Sequence, residues 1–132
     1  MISIGLLLIR LVIGVLFIGH GAQKLFGWFG GYGLKGTGDW MESLGLKPDM
    51  TMALLAGLTE LIGGILFTLG LLTPLAGLMI AATMVIAIVK VHRPNGLWST
   101  QNGYEYNLTL LAVAIGIALI GPGQYALDAF LF

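Results

Sequence analysis

The sequence contains no cysteine and few charged residues. Its 132 residues include six Lys or Arg and six Asp or Glu, a charged fraction of 9%. The absence of cysteine excludes disulfides, thiolate metal sites, CxxC redox chemistry and a cysteine nucleophile within this chain. The balanced charge provides no basic field for nucleic acid. Soluble domains are typically about 25% charged, so this chain has too few charges to cover a water-soluble surface.

Long apolar runs take up most of the chain. Hydrophobic residues make up 58% of the sequence, and the mean hydropathy is +0.97. A transmembrane helix needs roughly 20 mostly apolar residues, and four stretches meet this need: 2–26, 50–72, 74–92 and 104–121. The sequence therefore predicts an all-α protein, a single four-helix transmembrane domain over residues 1–132 that lies in the plasma (inner) membrane.

The connections between these four spans differ in length. Little more than 72–74 joins the second span to the third, whereas 27–49 and 93–103 form long connections. Four spans place both termini on one face with the tight turn, and both long connections on the opposite face, here called the loop face. Most Lys and Arg residues lie near the loop face, so the positive-inside rule predicts cytoplasmic loops.

The first long connection is rich in glycine and aromatic residues. Within it, Thr37 or Gly38 is predicted to cap a short helix with Asp39 in its first turn. The aromatic side chains around this helix are typical of a segment that rests at the depth of the lipid headgroups. We therefore expect an interfacial segment between the first and second spans.

Ionisable side chains inside the spans are the main functional signal, because charges in a membrane are costly and usually serve a purpose. At about 100° per helical residue, Arg10 and Lys24 fall on one side of the first span, with His20 at the edge. Glu60 shares a side of the second span with small residues that let another helix approach. We predict an inward-facing polar column with Arg10 lowest, Glu60 central and four residues above it: His20, Lys24, His92 and Glu105.

These side chains suit proton transfer and the binding of an oxygen-rich ligand. Histidine titrates near neutral pH and burial raises a carboxyl pKa, so Glu60, His20 and His92 are the candidate catalytic residues. A buried cation can stabilise an anionic intermediate. The candidate ligand-binding residues are Arg10, Lys24, Glu105, Asn107 and Trp28.

Other interpretations of the same residues remain open. Glu60 can serve as a structural ion pair with Arg10 that sets helix register, and Trp28 also fits an aromatic belt. Two histidines, His20 and His92, are few for a haem. The sequence has no HxxxH or HExxH pattern, so no metal site is assigned and the cofactor stays unknown. The four oxygen and nitrogen donors that a metal would need are His20, His92, Glu60 and Glu105.

Five short motifs follow one another along the chain. The first span reads RLVIGVLFIGHGAQKLFG, and ELIGGILFTLGLLTPLAG leads from the second span into the third. HRPNG ends the third span, YEYN begins the fourth, and GPGQYALD follows it. In this order and spacing, the chain resembles the DoxX family of small four-helix bacterial and archaeal membrane proteins over nearly its whole length.

The resemblance implies membrane redox biology. Relatives in the family include membrane subunits of thiosulfate:quinone oxidoreductase, and others are linked to oxidative-stress complexes or to resistance to catechols and quinones. Many members carry a basic residue just after a Gly-Leu-x-Thr turn, where this chain has Pro74. The departure removes a charge that would bear on the orientation of the chain.

We therefore expect an integral membrane protein that binds a quinone-like or small aromatic molecule and assists electron and proton transfer. No residue in the chain stores electrons, so a cofactor or a soluble or membrane redox partner must supply them. A lone carboxylate in the membrane also fits a proton-coupled small-molecule transporter. A non-catalytic assembly subunit is the other alternative. Small residues such as Ala112 and Gly116 fit packing within the bundle or in a homo-oligomer.

Overall fold

The fold is entirely helical, as the apolar runs predict. A computed structural model describes residues 1–132 and contains no strand. Four apolar helices form the bundle, a short helix lies in the first long connection, and a second short helix ends the chain. In chain order the helices are α1 (Ile2–Phe26), α2 (Gly33–Ser43), α3 (Asp49–Leu69), α4 (Thr73–Ala87), α5 (Glu105–Ile120) and α6 (Leu127–Leu131).

Three helical stretches are long and apolar enough to cross a membrane: Ile2–Phe26, Asp49–Leu69 and Thr73–Asn95. The apolar helix α5 is shorter, at 16 residues. The third stretch is not α-helical throughout, because α4 passes into a π-helical turn over Ile88–His92 and then a 3-10 turn. The all-α bundle of four apolar helices is confirmed, while the α-helical part of the third span ends five residues earlier than predicted.

The four apolar helices share one core. Large aliphatic side chains still cover the outside of the bundle, as expected where lipid replaces water as the solvent. Small residues in the core let helices approach closely, and larger ones fill the remaining space. The core residues are Leu6, Phe17, Phe67, Ala76, Ile80, Ala81, Met84, Leu110, Ala114 and Ile117.

Glycines bring α1 and α3 into direct backbone contact. A Cβ atom on Gly64 would lie 2.7 Å from the backbone nitrogen of Ile18 and 2.8 Å from the carbonyl oxygen of Gly14. A Cβ atom on Gly21 would lie 2.6 Å from the backbone nitrogen of Leu61. These distances are too short for any side chain, so glycine is required at both positions.

We predict that Gly64→Ala destabilises the bundle, because the added methyl group forces α1 and α3 apart. The expected loss is about 1–3 kcal/mol, typical of overpacking, and would appear as a lower thermal unfolding temperature in detergent. Gly19→Ala is the matched control, because nothing lies within 4 Å of a Cβ atom there. Equal unfolding temperatures for the two variants would show that this contact does not limit stability.

The short helix in the first connection begins earlier than predicted. It starts at Gly33 rather than at Thr37 or Gly38, and both of these residues are buried inside it together with Met41. Glycine lowers helix propensity, but a Cβ atom on Gly38 would lie 3.1 Å from the carbonyl oxygen of Asp49. Close packing against the start of α3 therefore outweighs the local propensity, and α2 is part of the bundle.

Arg10 holds the C-terminal segment and does not pair with Glu60, so the alternative interpretation of Glu60 as the ion-pair partner of Arg10 is wrong. Its side chain is 1% exposed. Its guanidinium donates to the carbonyl oxygens of Pro122 at 2.7 Å, Tyr125 at 2.9 Å and Thr68 at 3.2 Å. These partners follow α5 in the chain or end α3, so they could not be found from the spacing along the first span.

Asp128 completes this contact by capping the start of α4. Its carboxylate accepts hydrogen bonds from the backbone nitrogens of Leu72 at 2.7 Å and Thr73 at 2.9 Å. Burial by itself raises the pKa of Asp128, but hydrogen bonds from Thr73 and Leu72 and the charge of Arg10 outweigh burial and lower the pKa. Arg10 and Asp128 together are called the C-terminal clasp.

The C-terminal clasp should weaken in acid. A lowered carboxyl pKa contributes stability that is present above the ordinary value of 3.8 and is lost as the pH falls through the folded-state pKa. We predict that Asp128→Asn lowers stability at neutral pH by roughly 1–2 kcal/mol, and that its difference from the wild type shrinks as the pH falls below 3.8. Thermal unfolding across a pH series measures this, with exposed Asp39→Asn as the control. A difference in stability between the wild type and Asp128→Asn that stays constant with pH would contradict the role of Asp128 in the C-terminal clasp.

Candidate functional site

A charged pair joins α1 to α3 inside the bundle. Lys24 Nζ lies 2.9 Å from Glu60 Oε1 and 2.8 Å from Glu60 Oε2, so the ammonium contacts both carboxylate oxygens. The side chain of Glu60 is 8% exposed and that of Lys24 is 23% exposed. A single unpaired charge would be energetically costly in these surroundings, and the pairing of the two opposite charges reduces that cost.

Small residues on α3 place this pair. A Cβ atom on Gly57 would lie 2.6 Å from Leu25 Cδ2 and 3.4 Å from Lys24 Cβ. One turn of helix separates Gly57 from Glu60 along α3, so the last turns of α1 lie directly against the carboxylate. The close contact at Gly57 therefore sets the distance between α1 and α3 that the side chain of Lys24 spans to reach Glu60.

The charged pair forms one wall of a mostly apolar space, called here the apolar cavity. It has a volume of about 250 Å³, and eleven of its sixteen lining residues are hydrophobic. Ligand sites typically combine an apolar lining with a few placed polar groups, and here Lys24 and Glu60 are those groups. Lining residues from the three surrounding helices are Trp40 and Met41 of α2, Met52, Leu55 and Ala56 of α3, and Ala82, Thr83 and Ile86 of α4.

A second space, called here the polar chamber, meets the apolar cavity at Lys24. It has a volume of about 400 Å³ and lies beneath the turn that follows α1. Lys24 and Trp40 line both spaces. The remaining residues of the polar chamber are Gln23, Gly30, Gly31, Tyr32 and Thr37.

Gln23 holds the turn over the polar chamber. Its amide nitrogen donates to the carbonyl oxygen of Phe29 at 3.2 Å, and its amide oxygen lies 3.2 Å from His20 Nδ1. A Cβ atom on Gly31 would overlap Gln23, so glycine lets the turn close on α1. The predicted site residue His20 therefore reaches this region through Gln23 and makes no hydrogen bond to the charged pair.

The other predicted site residues lie elsewhere. His92 Nδ1 is 2.9 Å from the carbonyl oxygen of Asn102, and Glu105 Oε1 accepts from the backbone nitrogen of Ser99 at 3.3 Å. Both interactions organise the connection between α4 and α5. Asn107 Nδ2 donates to Met84 Sδ at 3.6 Å in the core. Trp28 is 58% exposed, packs on Phe26 and lines neither space.

Of the predicted site residues, the structure therefore brings Lys24 and Glu60 into direct contact with each other. The donors that a metal would need do not converge, since no group of three or more His, Asp or Glu side chains lies close enough to hold an ion. The sequence analysis did not identify Gln23, Thr37 and Trp40 as lining residues. The position of Gln23 beside Lys24 was a usable signal, whereas the contacts of Trp40 depend on how α2 docks.

We predict that the charged pair stabilises the fold only as a pair. Lys24→Met and Glu60→Gln should each cost roughly 1–3 kcal/mol, less than a fully buried pair because Lys24 is partly exposed. The double variant should cost less than the sum, because neither partner remains unpaired. Thermal unfolding of the three variants tests this, with Lys90→Met, an exposed lysine at the cavity rim, as the control. Additive losses would contradict the coupling.

Sequence comparisons identify relatives of this chain. The family model DoxX matches residues 5–93. The Bacillus subtilis protein named "Putative oxidoreductase CatD" is 35% identical over 130 residues, covering 98% of this chain and 89% of that protein. An uncharacterized membrane protein of Mycobacterium tuberculosis is 31% identical over 91% of this chain and 77% of its own length. The inner membrane protein YphA of Escherichia coli is 30% identical over 93% of this chain and 87% of its own length. No solved structure matches this chain significantly.

Proposed function

Because this chain belongs to the DoxX family of membrane proteins, we propose that it binds a quinone-like or small aromatic molecule in the apolar cavity and assists electron and proton transfer with a redox partner. One observation carries the proposal. The Lys24–Glu60 pair, two ionisable side chains in direct contact, forms a wall of a cavity whose lining is otherwise mostly apolar. The name of the Bacillus subtilis relative, an oxidoreductase, supports the same chemistry.

The apolar cavity suits a single ring that carries oxygen atoms. Its volume of about 250 Å³ is close to the lower end of ligand pockets, which start at roughly 300 Å³. The indole of Trp40 provides an aromatic face for the ring. Lys24 provides a hydrogen-bond donor for a ring oxygen, and Glu60 keeps that donor in place.

Reduction of a quinone to a hydroquinone consumes two electrons and two protons. The chain has no cysteine, so in this proposal the electrons come from a cofactor on the partner protein. The Lys24 ammonium stabilises negative charge on the ring oxygen as the electrons arrive. Lys24 then passes one proton to that oxygen and is reprotonated through Glu60, and the second proton reaches the other ring oxygen from water. His92 and Glu105 take no part in this step, and His20 acts only through Gln23.

We predict that filling the apolar cavity weakens the binding of a ring. Ala82→Phe should weaken the binding of a fully substituted decyl-benzoquinone at least about tenfold, because the new ring occupies the ligand's space. Quenching of tryptophan fluorescence by the quinone in detergent measures the Kd. Ala112→Phe is the matched control, since Ala112 is also exposed on a bundle helix but lines neither space.

The charged pair gives the second part of this test. Glu60→Gln should leave the ring bound and slow quinone reduction by the reconstituted partner by about 10²-fold or more, the range of one lost acid–base group. Binding that is unchanged in Ala82→Phe would place the ligand elsewhere. Unchanged turnover in Glu60→Gln would remove the carboxylate from the mechanism.

A further inference from the structure

The Lys24–Glu60 pair lies between two spaces of opposite character. Eleven of sixteen residues that line the apolar cavity are hydrophobic, but only two of seven that line the polar chamber are. Lys24 and Trp40 belong to both linings. Lys24 therefore contacts both spaces.

The apolar cavity opens through the side of the bundle between α3 and α4. At its mouth, Leu55 is 53% exposed and Ile86 is 50% exposed, and Ala82 beside them is also exposed. Leu55 lies roughly 9 Å along α3 from Asp49, and Glu60 lies roughly 17 Å along it. Exposed aliphatic residues at this depth on a membrane-spanning helix face lipid hydrocarbon.

The polar chamber opens at the loop face. Tyr32 at its edge is 76% exposed, and Gly30 beside it is exposed as well. Thr37 and Gln23 line its interior with a hydroxyl and an amide. The Thr37 hydroxyl donates to the backbone carbonyl of Lys24 at 3.5 Å, so the chamber extends from the surface to Lys24.

We propose that the Lys24–Glu60 pair separates two entrances, one from lipid and one from water. An apolar ring enters sideways between α3 and α4 and leaves its hydrocarbon tail among the lipids, while water in the polar chamber exchanges protons with the pair. The proposal rests on the proposed function and adds a ligand class, a ring with a long alkyl tail. The other titratable groups facing these spaces are Tyr32 in the chamber and Lys90 at the cavity rim.

The absence of native cysteine allows a direct test of access without any ligand. Three variants place one thiol in the polar chamber (Gln23→Cys), one in the apolar cavity (Thr83→Cys) and one buried in neither space (Thr73→Cys), and both Gln23 and Thr83 are half-buried. Open membrane fragments are treated with a charged methanethiosulfonate, which needs a hydrated thiolate. The thiol at position 23 should react at least about tenfold faster than the other two, because apolar surroundings keep a thiol protonated and inert.

Either of two results would overturn the separation of entrances. Equal reaction at positions 23 and 83 would mean that the two spaces form one aqueous cavity. Reaction at position 23 that is as slow as at position 73 would mean that water does not enter the polar chamber. Because this assay uses no quinone, its outcome does not depend on whether the proposed function is correct.

The lipid entrance is tested with two probes that share one fully substituted benzoquinone ring, one with a decyl tail and one without. Leu55→Trp should weaken binding of the tailed probe several-fold and leave the tailless probe unaffected, because the larger side chain blocks the tail at the mouth. Leu54→Trp is the control, since Leu54 is also exposed on α3 but lines neither space. Equal losses for both probes would refute a tail at this mouth. Absence of binding by either probe to the wild type would instead refute the proposed function.

Discussion

The glycine contact between α1 and α3 is the constraint on which the site depends. With Gly14, Gly21 and Gly64 in the interface, the two backbones lie closer than any side chain would permit. This closeness brings the ammonium of Lys24 within 2.9 Å of Glu60. It also places Lys24 of α1 in the wall of the apolar cavity, beside residues of α2, α3 and α4. A wider separation would leave both charges unpaired in the membrane interior, which is costly.

The few charges of the chain are used at separate places in the bundle. Arg10 and Asp128 fasten the C-terminal segment to the turn between α3 and α4. Backbone carbonyls accept hydrogen bonds from the two terminal nitrogens of Arg10, whose Nε has no partner, and backbone amides donate to Asp128. Lys24 and Glu60 satisfy each other and contact two spaces. In the first arrangement, the charges of Arg10 and Asp128 are used to hold the fold together. The second leaves a proton-bearing pair at a cavity wall, which is why the proposed chemistry is placed there.

Membership of the DoxX family and the relatives named as membrane proteins agree with the apolar helices. The family alone does not specify a reaction, because function depends on the site. In this chain the proposed site consists of a charged pair, an apolar cavity with a proposed opening towards lipid and a polar chamber with a proposed opening at the loop face. A tailed ring and a source of protons fit these two openings on physical grounds.

The sequence by itself determined the all-helical fold, the apolar spans and the inward direction of Arg10 and Glu60, because these follow from hydropathy and helical periodicity within one segment. It also marked Lys24 and Glu60 as site residues. Only the tertiary structure decided that Glu60 pairs with Lys24 while Arg10 binds carbonyls near the C-terminus. It likewise decided that α2 docks on the bundle and places Trp40 between two spaces. Such partners lie far apart in sequence, and whether they come into contact depends on how the helices pack. The hydrophobic periodicity of a single helix carries no information about that packing.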